Sequence, residues 1–126
     1  MLGHSFPTRR SSDLSANATG DLDAVEALAL RAVFVDAAPV VTSIKGAIGE
    51  FGAAGSASCA AALLCGGIGQ VPPIAGLGDP DPVAASLRLA RETVTAPCRG
   101  RQGPVTLVNS FASGGALFSV VLRNQA

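Results

Sequence analysis

Few side chains in this sequence are equipped for chemistry, and their spacing narrows what that chemistry is. Cys59, Cys65 and Cys98 are an odd number of thiols without the CxxC spacing of a metal site, and the simplest setting for them is a reducing cytoplasm. Cys59 and Cys65 fall in an alanine-rich stretch, where a thiol reads as a small core side chain. The only histidine is His4, near the amino end. Glu50 lies inside Gly49-x-x-Gly52-x-x-Gly55. After a strand and before a helix such a loop could cradle a phosphate, so a nucleotide-binding module is one alternative reading. The spacing is not GxGxxG, and Glu50 puts negative charge where a pyrophosphate would sit.

Positioning such groups requires a core, and composition says what kind. The 126 residues suffice for one domain; 48% are apolar and 14% charged, which excludes a disordered tail. Aromatics are 4%, with five Phe and neither Trp nor Tyr, so the core is built from Ala, Val, Leu and Ile. Nine basic residues balance nine acidic ones, and a nucleic-acid partner, which asks for a basic face and stacking aromatics, is not expected. No apolar run approaches the roughly 20 residues that span a bilayer, and the first residues lack the apolar stretch of a secretory signal.

Periodicity supplies the elements. Residues 23–34 carry Val25, Leu28, Ala29, Ala32 and Val33 as one helical stripe, with Asp23 as N-cap and Glu26 completing a capping-box-like pair. Residues 40–44 (VVTSI) read as a short buried strand, 46–55 as a glycine-rich turn, and 53–65 as a small-residue helix capped by Gly66 and Gly67. Extended chain follows at Pro72-Pro73, a turn at 79–82, an edge strand at 87–90 and a loop at 93–103. Strands at 104–111 and 116–123, joined through Ala112-Ser113-Gly114-Gly115, read as an antiparallel hairpin. The pattern predicts an α/β fold, a mixed β-sheet with packed helices.

Phe6 to Leu14, FPTRRSSDL, resembles the translation of a common sequencing adaptor; it has no hydrophobic period and holds two of the nine basic residues, Arg9 and Arg10. The expectation is that residues 1–14 are non-native and that His4 has no functional meaning.

Four stretches, in order, resemble the C-terminal half of β-ketoacyl synthases, the condensing enzymes of fatty-acid and polyketide synthesis. Ala16-Asn17-Ala18-Thr19-Gly20 followed by Asp23-Ala-Val-Glu26-Ala resembles AHGTGT…D-x-x-E-A. Lys45-Gly-Ala-Ile-Gly49-Glu50-Phe-Gly52-Ala-Ala-Gly55 resembles K-x-x-x-G-H-x-x-G-A-A-G. Val71-Pro72-Pro73 with Asp79-Pro80-Asp81-Pro82 resembles VPPT…EPDP, and Asn109-Ser110-Phe111-Ala-Ser-Gly114-Gly115 resembles N-S-F-G-F-G-G. The resemblance implies a thiolase-like layered fold, with residues 15–126 as a β-ketoacyl synthase C-terminal domain truncated at its N-terminal side.

The family's chemistry uses a cysteine nucleophile, which belongs to the other half of that fold, and two histidines that promote malonyl decarboxylation. By resemblance Asn17 stands at the first histidine position, in a loop two residues shorter, and Glu50 at the second, in a loop one residue shorter. Asn can donate a hydrogen bond to a thioester oxygen; an ionised Glu has no proton to give and repels a malonyl carboxylate. Lys45 matches a family lysine that supports the site through a carboxylate, for which Glu26 is the candidate. Phe111, Ser113, Gly114 and Gly115 match the acyl-pocket loop, with Ser113 replacing a gating Phe and Leu117 replacing a family Asn. The resemblance implies no cofactor and no metal. It implies acyl carrier protein as a partner and a homodimer, or a heterodimer with an active ketosynthase, when full length. Whether the protein is itself an enzyme stays open: the alternative is a chain-length-factor-like subunit that shapes the acyl tunnel of an active synthase. A buried sheet layer without its counterpart is expected to expose a broad apolar face.

Overall fold

The computed structural model describes residues 20–35, 39–80, 82–96, 103–111 and 115–125. Helix α1 runs Gly20–Val33. It begins one turn earlier than the sequence pattern predicts, so Asp23 is not its cap but lies inside the first turn, 1% exposed. The expected stripe is also inverted: Val25, Leu28, Ala29, Ala32 and Val33 face outward, and Asp23, Glu26, Ala27 and Leu30 face inward. Spacings of three and four generate both stripes on one helix, and tertiary contacts choose between them. Ala27 and Leu30 pack with Val41 and Ala84 to form the core, closed at its edges by Phe34, Val83, Leu87, Leu89 and Leu107.

Strand β1 is Val40–Val41, shorter than the predicted VVTSI. The reason is local. Ser43 Oγ accepts a hydrogen bond from the Lys45 backbone N–H at 3.2 Å, and this contact draws the chain out of the ladder and into α2, Lys45–Ile48. The expected glycine-rich turn therefore opens with a helical turn. Thr42 Oγ1 donates to the Pro72 carbonyl at 2.6 Å, tying the entry of this segment to the distant Pro-Pro stretch.

Helix α3, Ala54–Gly67, buries Ala54, Ser58, Ala62 and Gly66, a row of small side chains at intervals of four. Gly66 and Gly67, expected as its cap, belong to its last turn; the left-handed turn falls at Gly69, with φ +68°. Gly66 is required by packing, because the Asn124 side chain occupies the place of a Cβ, held there by its Nδ2 donating to the Leu63 carbonyl at 2.8 Å.

The remaining strands are β2 (Gln70–Val71), β3 (Arg88–Leu89), β4 (Val94–Thr95), β5 (Val105–Phe111) and β6 (Leu117–Arg123). β4 falls within the stretch predicted as a loop. The pairings are β1–β3 parallel, β2–β4 antiparallel and β5–β6 antiparallel, so both senses are present. Among the described residues these pairings make three two-stranded sheets. The hairpin agrees with prediction, in a register from Val105↔Arg123 to Phe111↔Leu117.

α3 lies on this hairpin at close range: a Cβ added at Gly55 would stand 2.9 Å from Ser110 Oγ and 3.2 Å from its Cβ. Gly55→Ala is expected to destabilise the chain by about 1–3 kcal/mol through overpacking. Adding Ser110→Gly should recover part of that loss in urea unfolding; strictly additive penalties would show that the two residues do not meet.

Candidate functional site

Lys45 opens α2 with its side chain turned inward, 6% exposed, and its Nζ lies 2.6 Å from Glu50 Oε2. The backbone arranges the meeting. The Gly49 N–H closes α2 on the Lys45 carbonyl at 2.9 Å, and Gly49, at φ +82°, reverses the chain so that Glu50 returns over Lys45. A residue with a Cβ is strained at that φ. Glu50 is 49% exposed, so solvent screens half of the pair, and its net stabilisation is about 0–1 kcal/mol. The pair matters more for charge balance, since an ammonium taken out of water needs a counter-anion.

Glu26, the carboxylate expected beside Lys45, is 2% exposed on the inner face of α1. Its Oε1 accepts a hydrogen bond from Asn109 Nδ2 at 3.1 Å, and Asn109 Oδ1 accepts one from Ser119 Oγ at 2.8 Å. Asn109 and Ser119 are a cross-strand pair, so this chain of bonds runs from β6 through β5 to α1. A carboxylate offers only acceptors, which requires the amide nitrogen of Asn109 to face it. Residue type alone gives Asn109 no role; the signal for it in the sequence is its place two residues before Phe111, on the same strand face. Asn109→Asp would set two carboxylates about 3 Å apart and is expected to destabilise the chain by about 2–4 kcal/mol. Glu26→Gln in that background restores a donor and should recover most of the loss. Equal losses for Asn109→Asp with and without Glu26→Gln would contradict the contact.

The structure thus joins Lys45 to Glu50 and Glu26 to Asn109. Asn17, Ser113 and Gly114 lie outside the described residues. Phe111 ends β5, half-buried, and Gly115, with φ +84°, precedes β6. Cys59 and Cys65 are free thiols at intermediate depth on α3, less buried than a core reading expects, and Cys98 is outside the described residues. The phosphate-loop alternative loses its context, since Gly49 follows helix α2 rather than a strand and the Glu50 carboxylate stands at that turn. A groove of about 510 Å³ beside the end of α1, bordered by Leu30, Arg31, Phe34 and Leu87, shares no residue with the Lys45–Glu50 pair. No helix among the described residues is long and apolar enough to cross a membrane.

A family model described as Beta-ketoacyl synthase, C-terminal domain, matches residues 13–78. That span takes in the segment of Asn17, all of α1, the Lys45–Glu50 turn, α3 and the Val71-Pro72-Pro73 stretch; the β5–β6 hairpin lies beyond it. No curated protein and no solved structure matches the chain. Because the match covers just over half of the residues and includes the Lys45–Glu50 turn, the chain belongs to the β-ketoacyl synthase C-terminal domain family.

Proposed function

We propose that this β-ketoacyl synthase-like fragment does not carry out decarboxylative condensation and serves, if completed by an N-terminal half, as a non-catalytic member of its family. The observation that carries this reading is the Lys45–Glu50 ion pair. In the family reaction the bond from the malonyl methylene carbon to its carboxylate breaks, carbon dioxide leaves, and the electron pair moves onto the thioester oxygen. That oxygen then needs a hydrogen-bond donor. Glu50, at the matching position, presents an ionised carboxylate committed to a cation, which accepts hydrogen bonds and donates none. Asn17 is the donor that remains in this reading, Glu26 is a second carboxylate proposed for Lys45, and Phe111, Ser113, Gly114 and Gly115 match the family's acyl-pocket loop without its gating Phe.

The second reading, a chain-length-factor-like partner of an active synthase that also contacts acyl carrier protein, draws support from the apolar side chains left exposed on α1, α3 and β6. Radiolabelled malonyl-acyl carrier protein tests the main proposal: no carbon dioxide above background is expected, and synthase-like release would overturn it. Co-purification with an active ketosynthase and a changed product length would favour the partner reading over a fragment with no role.

A further inference from the structure

β6 has the composition of an inner strand but stands at an edge: among the described residues it pairs with β5 alone. The phase of that ladder shows which backbone groups point away from β5. The Asn124 N–H donates to the Pro104 carbonyl at 3.2 Å, so this pair, one step beyond Val105↔Arg123, is a hydrogen-bonded one. Antiparallel pairs alternate. Phe118, Val120 and Leu122 therefore turn their N–H and C=O groups toward β5, and Leu117, Ser119, Val121 and Arg123 turn theirs outward. Among the described residues, no hydrogen bond reaches the backbone of that outward row. Side chains follow the same period. Asn124 reaches α3, while Ser119 bonds Asn109, which reaches α1. Even-numbered residues of β6 thus face the α3 side and odd-numbered ones the α1 side. Phe118 is exposed on the first, Leu117 and Val121 on the second. The strand holds no Pro and no Lys, its pairing has no bulge, and its one charge, Arg123, is at the end. Edges that must stay unpaired carry such guards.

We propose that the outer edge of β6 docks β6 of a second copy of this chain, antiparallel, about a two-fold axis through Val120. Backbone phase and charge select this register. The axis sets Leu117 opposite Arg123 and Ser119 opposite Val121, so every outward-facing residue meets an outward-facing one and the whole strand pairs. On the α3 side it brings Phe118 against Leu122 and Val120 against Val120, a row with no polar member. The two Arg123 guanidiniums come to opposite ends of the ladder, about 20 Å apart. Parallel in-register pairing would instead set them face to face, which is unfavourable. A two-fold contact also closes on itself, giving a four-stranded sheet in the order β5, β6, β6, β5. Assembly through this edge requires nothing of the positions matched to the family histidines.

Disulfide trapping of the full chain tests the register, in a background with Cys59, Cys65 and Cys98 changed to Ala. Val120→Cys would place two Cβ atoms about 5 Å apart across the axis, within reach of a disulfide. Under mild oxidation it should form covalent dimer at least about fivefold faster than Leu117→Cys, whose two copies stand about 20 Å apart. Phe118→Cys mixed with Leu122→Cys should likewise cross-link faster than either variant alone. Equal rates for all the single-cysteine chains, as parallel pairing or unspecific association would give, overturn the proposal, and so does no covalent dimer from any of them. Val121→Pro removes one outward N–H and no bond of the hairpin, so light scattering should show the dimer lost while β-sheet circular dichroism is kept. A dimer that persists in folded Val121→Pro counts against this edge; should that variant not fold, the trapping rates decide alone.

Discussion

Incubated with malonyl-acyl carrier protein, the chain is expected to release carbon dioxide at least about a hundredfold more slowly than a synthase with both histidines. Charge repulsion alone suggests an even larger loss: two like charges at about 4 Å and an effective dielectric near 20 repel by roughly 4 kcal/mol, a factor of about a thousand. The structure reduces that component, because Lys45 lies 2.6 Å from Glu50 and offsets much of its charge before any substrate arrives. It does nothing for the missing donor. Removing one hydrogen-bond donor to a developing oxyanion costs about 10²–10³ in rate, and an ionised carboxylate in its place supplies none. Glu50→Gln is informative because the amide can donate: a modest rise in release would identify donation as the deficit. Synthase-like release by the unaltered chain that disappears in Glu50→Gln would instead make the carboxylate the working group and refute the proposed function.

On size-exclusion chromatography with light scattering, the isolated chain is expected to emerge as oligomers or aggregate rather than as a 12.5 kDa monomer. β6 is the clearest cause. Leu117 and Val121 on one face are 66% and 67% exposed, and Phe118 on the other is 60% exposed, so apolar side chains stand exposed on both faces of the strand although α3 packs on the hairpin. Leu63, Leu64 and Ile68 on α3, and Val25, Leu28 and Val33 on α1, are exposed as well. Strands of this kind, with no Pro and one terminal charge, associate readily through faces and edges. Lys substitutions at Phe118 and Val121 should move most of the protein toward the monomer without loss of β-sheet circular dichroism. A sharp monomer peak and a cooperative melt for the unaltered chain would show that these faces do not drive association.

The hairpin was legible because the short apolar, β-branched runs at 104–111 and 116–123 and the Gly114-Gly115 turn signal between them are local features of the sequence. The existence of α1 and α3 was legible for the same reason. The inward face of α1 was not. Its more apolar stripe faces outward, and the carboxylates of Asp23 and Glu26 lie inside, where Asn109, 83 residues away from Glu26, supplies a hydrogen bond. The length of β1 was missed because a single Ser43 hydroxyl bond outweighs β-propensity across five residues predicted as strand.

Residue order alone specifies family membership, the α/β class and the closing hairpin, since each of these is a matter of residue type and local period. That Glu50 reaches Lys45, and which stripe of α1 is buried, is settled by the folded arrangement. The first depends on a backbone reversal at Gly49 and the second on a hydrogen bond from β5, and neither a dihedral angle nor a contact across 83 residues is encoded in periodicity.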